Sequence, residues 1–428
     1  MINIVDMKKS KSFLSKLYER SQMDFDDVNT SVADIISKVR KEGDDALKFY
    51  TSKFDNVDLE SIIVSDEEID NAFNNIDENL LKDLKMAHEN IKDYHMKQVR
   101  KDYLYKKDED IILGQLIRPI EKVGIYVPGG SAAYPSSVLM NSVPAKIAGV
   151  KEVVMVTPPM ADGSVKDSVL VAAKIAGVDK ILKVGGAHSV AALSFGTESV
   201  PKVSKIVGPG NIYVSMAKKQ VMGYVGIDMI AGPSEILIIA DDSANPKYVA
   251  ADLMSQAEHD TLAASILVTD SPRIAKEVEK ELERQVKLME REETIRKSFE
   301  NFGAIIITES LMESIEIANK VAPEHLEIMT VNPFEAYKRI ENAGAIFLGE
   351  YTPEPVGDYF SGTNHTLPTS STAKFSSPLG VDDFIKKSSL VYYSKEALLS
   401  SGNSIMRIAE DEGLTAHSNS IRVRMGDE

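Results

Sequence analysis

The sequence predicts an α/β fold built on two parallel sheets, and three observations carry that prediction. Short apolar runs of strand length alternate with helical patterns from about residue 118 to residue 350. Several of those runs end in Gly-rich turns, as βα junctions do. The chain is 428 residues long with 43% hydrophobic and 27% charged residues, enough core for two or more globular domains.

Residues 1 to about 120 are predicted to be helical and highly charged. Val32, Ile35, Ile36 and Val39 form an apolar stripe at helical spacing, behind the capping candidates Asn29, Thr30 and Ser31. Leu80 to Val99 is a second amphipathic stretch. Its His88 and His95 stand among Lys, Asp and Glu and are expected on the surface.

The alternation starts at Val123–Val127, a strand ending in Pro128-Gly129-Gly130, followed by a helix over Ser136–Ile147. Next come a strand at Val153–Thr157, a helix at Val165–Ala176 and a strand at Ile181–Val184 before Gly185-Gly186. A helix from Ser189 leads to a strand at Lys205–Val207, the turn Gly208-Pro209-Gly210-Asn211, and a helix to about Met222. Sheets of this kind bind ligands at the carboxyl ends of their strands, where these turns fall. VPGGSA, VGGAH and VGPGN are Gly-rich, but none is a GxGxxG, so both halves are Rossmann-like without the dinucleotide fingerprint.

A second set opens with the strand Ser234–Ala240 and the helix that follows Asn245-Pro246. Strands are predicted at Ala264–Val268, Ala304–Thr308 and Ala345–Leu348, with long charged helices over 271–302 and helices over Glu309–Lys320 and Pro333–Ala343. Tyr351–Leu379, rich in Gly, Pro, Ser and Thr, is read as an ordered functional loop, and Phe384 to about Glu410 as a final helix. The expected domains are an N-terminal helical segment (1–23), a discontinuous first α/β domain (24–125 with 234–378), a second α/β domain (126–233) and a C-terminal helical tail (379–428).

Composition excludes several classes of function. A net charge of −16 argues against a nucleic-acid partner. No apolar run reaches the length of a membrane span or a secretory signal, so the expected location is cytoplasmic. With no Cys there is no disulfide, no thiolate-bound metal and no thiol nucleophile. Any metal must be held by His, carboxylate or amide oxygen.

Gln256 and His259, three apart at the end of a helix, leave neighbouring points on one side of it and can close on one ion. His325 follows Glu324 at the start of a strand; His365 lies seven residues after Asp358, and His417 five after Glu412. Gln256 and His259 with a carboxylate and one more imidazole would make a nitrogen/oxygen site suited to Zn²⁺. Glu324 and His325 could supply two proton-transfer groups. Since strand neighbours face opposite ways, the two must sit in the turn itself to share a substrate.

In order along the chain, VGIYVPGG, GPGN, AGPSEILIIAD, SQAEHD, APEHLE, GDYFSGTNHTLPT and EGLTAH resemble the signatures of the histidinol dehydrogenase family. The resemblance covers about Ile120 to the C-terminus. It implies NAD-dependent oxidation of L-histidinol to L-histidine through L-histidinaldehyde, with two NAD⁺ consumed, at the end of histidine biosynthesis. It implies one Zn²⁺ per subunit on Gln256, His259, Asp358 and His417. The last would come from a C-terminal tail swapped into the partner of a homodimer. The acid/base pair falls on Glu324 and His325. Substrate contacts would be Ser234, His365 and Glu412 together with His325 and the four metal ligands, and NAD contacts Tyr126, His188 and Asn211. One position departs: where the family has Gln after GGA this chain has His188, which lacks the amide's paired donor and acceptor.

Three rival functions make different use of these residues. A relative acting on another small diol or amino alcohol has little use for Glu412 and His365. A zinc hydrolase leaves the first α/β half without a role. A ligand-binding protein without catalysis predicts that His325→Asn changes nothing.

Overall fold

The computed structural model describes residues 2–20, 26–129 and 133–426, so Gly130 of the first Gly-rich turn and residues 21–23 of the N-terminal segment lie outside the described part. The chain divides into a larger unit, Met1–Gln98 with Ile120–Phe384, and a smaller one, Val99–Pro119 with Ile385–Glu428.

The larger unit holds both expected parallel sheets. In the five-stranded sheet the order is Lys180–Leu182, Glu152–Val156, Lys122–Tyr126, Lys205–Val207, Gly226–Ile227. In the six-stranded sheet it is Asn3–Asp6, Gly303–Ile307, Ala264–Thr269, Glu235–Ala240, His325–Met329, Ala345–Leu348. All pairings in both are parallel. The run Glu235–Ala240 is buried at every position, as a strand covered on both faces must be. Ile236 and Ile238 pack beneath the helices Pro246–Ala257 and Pro272–Gln285, while Leu237 and Ile239 face Leu17 and the helix Leu311–Val321.

Four helical expectations are corrected. Asn3–Asp6, read as helical, is an edge strand paired with Ala304–Ile307. The segment 103–119, also read as helical, forms the antiparallel strands Tyr103–Lys106 and Ile111–Pro119. The predicted final helix begins instead as the strand Ile385–Tyr393, and its helix runs only over Lys395–Asp411. The long helix expected at 333–343 stops at Ala336 and tightens into a 3-10 turn.

The domain grouping changes as well. Helices between Asp26 and Met96, expected to join 234–378, bury Val32, Ile35, Leu47, Leu84 and Ile91 against the five-stranded sheet. The tail is not helical throughout: its strand joins Ile111–Pro119 in a three-stranded sheet of the smaller unit. His95 is fully buried rather than on the surface, with Nδ1 at 2.9 Å from Gln98 Oε1. It continues the stripe Leu84, Ala87, Ile91. No helix among the described residues is long and apolar enough to cross a membrane.

Candidate active site

The catalytic candidates gather at the amino edge of the six-stranded sheet, where Glu235–Ala240 and His325–Met329 run side by side. The helix Pro246–Ala257 is started by Asn245, whose side chain accepts from Lys247 N–H, and by Pro246 in its first turn. It runs back across the sheet to this edge and delivers Gln256, which is buried. His259 sits exposed in the turn just beyond, its N–H donating to the Gln256 carbonyl at 3.2 Å.

Glu324 lies in the bend before the strand that starts at His325, so both side chains serve one site. Ala322, which ends the preceding helix with φ of 51°, makes that bend sharp. Gly344 fits because a Cβ there would press on the Glu324 carbonyl. The Glu235 backbone then fixes both residues. Its N–H donates to Glu324 Oε2 at 2.9 Å, and its carbonyl lies 3.1 Å from His325 Nδ1. A carbonyl can only accept, so Nδ1 carries a proton towards it and Nε2 is the nitrogen left to face the site. Nε2 makes no hydrogen bond, and lies 3.5 Å from Asp358 Oδ1 and 3.9 Å from Glu354 Oε1.

Asp358 and Glu354 are one turn apart on a short helix, Glu354–Tyr359, inside the segment read as loop. The helix is held by Glu327 Oε1, which accepts Glu354 N–H at 2.9 Å. In the amide orientation that satisfies both groups, Gln256 donates its NH₂ to Glu354 Oε2 at 2.8 Å and Oε1 at 3.0 Å. His365 is wholly engaged, with Nδ1 at 3.0 Å from the Asp358 carbonyl and Nε2 at 3.1 Å from Ser137 Oγ. Here it anchors the helix that carries Asp358. Ser234 immediately precedes the Glu235 strand, its carbonyl accepting Ala264 N–H.

Charges are unevenly matched. Burial pushes the Glu324 carboxyl up to about 8, and that of Glu354 up to about 7. Burial opposes a charge on His325, but the carboxylates of Glu354, Glu324 and Asp358 outweigh it and hold the imidazole well above its ordinary value. Asp358 stays below the usual carboxylate range: burial raises it, and the His325 contact more than compensates.

Ligand atoms of His325, Glu354 and Asp358 lie within 4.8 Å of one another, a group able to hold a cation. Asp358 therefore belongs both to this cluster and to the sequence-derived set with Gln256 and His259. Glu412 and His417 sit on the smaller unit, Glu412 ending the helix Lys395–Asp411 and His417 exposed in the first turn of Thr415–Met425.

Sequence reading missed Glu354, Glu235 and Arg20. Arg20 is buried, donates to the Leu262 carbonyl at 2.6 Å and pairs with the Glu235 carboxylate, steadying the strand start that holds Glu324 and His325. The i, i+4 spacing of Glu354 and Asp358 was the available signal for the first. Nothing in the sequence marks Arg20.

The cofactor candidates lie at the opposite kind of edge, the carboxyl ends of the five-stranded sheet. Strand order reverses there around Lys122–Tyr126, the usual place for a ligand crevice. Gly208, with φ of 112°, could carry no side chain, because a Cβ would collide with the Tyr126 carbonyl. Its N–H donates to Asp228 at 2.7 Å and its carbonyl accepts from the buried Lys218 at 3.0 Å. Asn211 caps the helix Ile212–Val221, accepting from Tyr213 and Val214 N–H. The Tyr126 hydroxyl accepts Gly186 N–H at 3.3 Å, and its proton is held up to about 12 by burial. Asp55, whose charge also bears on Tyr126, has a buried Oδ2 with no hydrogen bond and a carboxyl pushed up to about 6 by burial.

His188, expected as an NAD contact, is in the core. Its ring lies near those of Tyr50 and Phe54, Nε2 is 3.4 Å from Thr51 Oγ1, and burial pushes its imidazole down to about 3. The unfolded chain, with His near 6.5, takes up a proton that the folded one refuses. Stability is therefore complete above pH 6.5 and falls as the pH drops towards 3. His188→Gln should remove this component. Between pH 7 and pH 5 the parent is expected to lose about 2 kcal/mol more than the variant, read by urea unfolding. Parallel losses in the two proteins would show that His188 is protonated in the fold.

Comparison with known proteins identifies one family over nearly the whole chain. The histidinol dehydrogenase family profile matches residues 18–425. A histidinol dehydrogenase of Clostridium acetobutylicum is 58% identical over 414 residues, covering 97% of this chain and 96% of that protein. One from Caldanaerobacter subterraneus subsp. tengcongensis is 54% identical over 428 residues, covering 99% of each. The crystal structure of the histidinol dehydrogenase from Elizabethkingia anophelis superposes with a TM-score of 0.94 at 36% identity, covering 99% of this chain and 98% of that one. The chain belongs to the histidinol dehydrogenase family, NAD-dependent oxidoreductases of histidine biosynthesis.

Proposed function

We propose that this chain oxidises L-histidinol to L-histidine through the aldehyde, in a site where Gln256, His259 and Asp358 hold one Zn²⁺ together with His417 of a second copy. The observation that carries the reading is the free Nε2 of His325, aimed by the Glu235 carbonyl and bordered by Asp358. The donor set fits zinc: amide oxygen, imidazole and carboxylate, with no thiolate in the chain. The exposed position of His417, on a unit that also exposes Tyr103, Leu104, Tyr105, Val391 and Tyr392, supports a homodimer with shared sites.

Held by Gln256, His259 and Asp358 with His417 of a second copy, zinc would supply a positive centre to which nitrogen groups of the substrate could be anchored. The turns at Tyr126, Gly208 and Asn211 would hold NAD⁺, which would supply the hydride acceptor. The unpartnered Asp55 Oδ2 beside Tyr126 suits a hydroxyl-rich ligand there.

The chain's own residues handle the protons. His325 takes the alcohol proton at Nε2, its Nδ1–H remaining on the Glu235 carbonyl. Glu324, with its carboxyl near 8, is matched to neutral pH and draws a proton from water as the aldehyde is hydrated. His325 releases its first proton to solvent between the two oxidations, and its Nε2 then takes the hydrate's proton in the second. Glu412 of the second copy faces the substrate amine, and His365 keeps Asp358 in place.

Purified protein given L-histidinol and NAD⁺ is expected to yield two NADH per L-histidine. Glu324→Gln should slow oxidation of added L-histidinaldehyde by about 10²-fold, and that of the alcohol far less. No NADH from histidinol, with turnover of another amino alcohol, would overturn the substrate. Equal slowing of the two half-reactions would remove Glu324 from the hydration step.

A further inference from the structure

Glu354, which shares a cluster with His325 and Asp358, stands between Gln256 and the base. It is 3% exposed, on a helix start pinned by Glu327. With the Gln256 amide turned as its neighbours require, its nitrogen lies within hydrogen-bond distance of both Glu354 oxygens, and Ser255 Oγ stands 3.4 Å from Oε2.

A carboxamide offers a cation either its oxygen or its NH₂, and the two differ by a rotation of the terminal torsion. Only the oxygen can be a ligand, so something must choose. A carboxylate can only accept, and it therefore claims the NH₂ and leaves the oxygen on the far side. Outer-shell partners of this kind orient metal ligands throughout protein metal sites.

We propose that Glu354 is the positioning residue of the metal site: its carboxylate captures the Gln256 NH₂ and so presents the amide oxygen to the cation. The inference rests on the zinc reading above and deepens it. Glu354 touches no metal itself and acts through Gln256. Its helix also carries Asp358 one turn on, so one short element sets both an outer partner and a direct ligand.

The test is the affinity for Zn²⁺ alone, measured on the full-length protein by competition with a chromogenic chelator. Glu354→Met keeps the buried volume but removes every acceptor, and it should raise the zinc Kd by about tenfold or more. Glu354→Gln retains one acceptor oxygen, and its Kd should fall between those of the Met variant and the parent. A merely structural role would leave the Met variant at the parent's Kd, or the Gln variant no better than Met, and either result overturns the proposal. If Glu354→Met fails to give a native circular-dichroism spectrum, Glu354→Gln decides alone, and a Kd equal to the parent's overturns it. His259→Ala separates the two levels of the argument. If that variant keeps full zinc affinity, the metal reading itself has failed; if it loses zinc while the Glu354 variants do not, only the positioning role has.

Discussion

Exchanging His325 for Asn is expected to cut the rate of histidinol oxidation by about 10²–10⁴-fold at saturating substrate, with zinc still bound. Asn is of similar size and can still donate an N–H to the Glu235 carbonyl, so the strand start should survive. What it lacks is a nitrogen that accepts a proton. The free Nε2, 3.5 Å from Asp358, is the group the substitution deletes. The residual rate should climb with pH as hydroxide replaces the missing base. Steady-state rates at matched zinc content check this, and a loss below about tenfold would move the base elsewhere.

Removing the metal should have an equally large effect. Chelation is expected to abolish turnover and Zn²⁺ to restore it, because the substrate would lose the anchor that holds its alcohol carbon in place. His259→Ala and His417→Ala should each be inactive alone. Co-expressed, they should regain activity, since a mixed dimer that shares ligands between copies contains one site with neither substitution. Full activity in a metal-free preparation would refute the metal's role. Absence of rescue would argue for sites completed within one chain.

Much of the fold was legible because its strands are buried on both faces and read as unbroken apolar runs such as Ile236-Leu237-Ile238-Ile239-Ala240. The missed strands lack that mark. Ile385–Tyr393 is exposed or half-exposed at every position, and Asn3–Asp6 is a four-residue edge strand. Neither shows a periodicity that outweighs its polar residues. Pro353 and Pro355 made the segment around Glu354 read as loop, although Pro in a first turn is also a helix start. His188 could have been foreseen in the core: GAHSVAALSF has almost no polar face, and a helix apolar all round is buried. The roles of Glu235 were beyond sequence reading, because its backbone, not its side chain, meets Glu324 and His325.

Anomalous scattering at the zinc edge, from crystals of the zinc-loaded protein, tests the central claim most directly. The expected result is one peak per chain, within about 2.3 Å of ligand atoms from Gln256, His259 and Asp358, with His417 of a second copy completing the shell. A peak held instead by His325, Glu354 and Asp358, or one with no His417 beside it, would contradict the account.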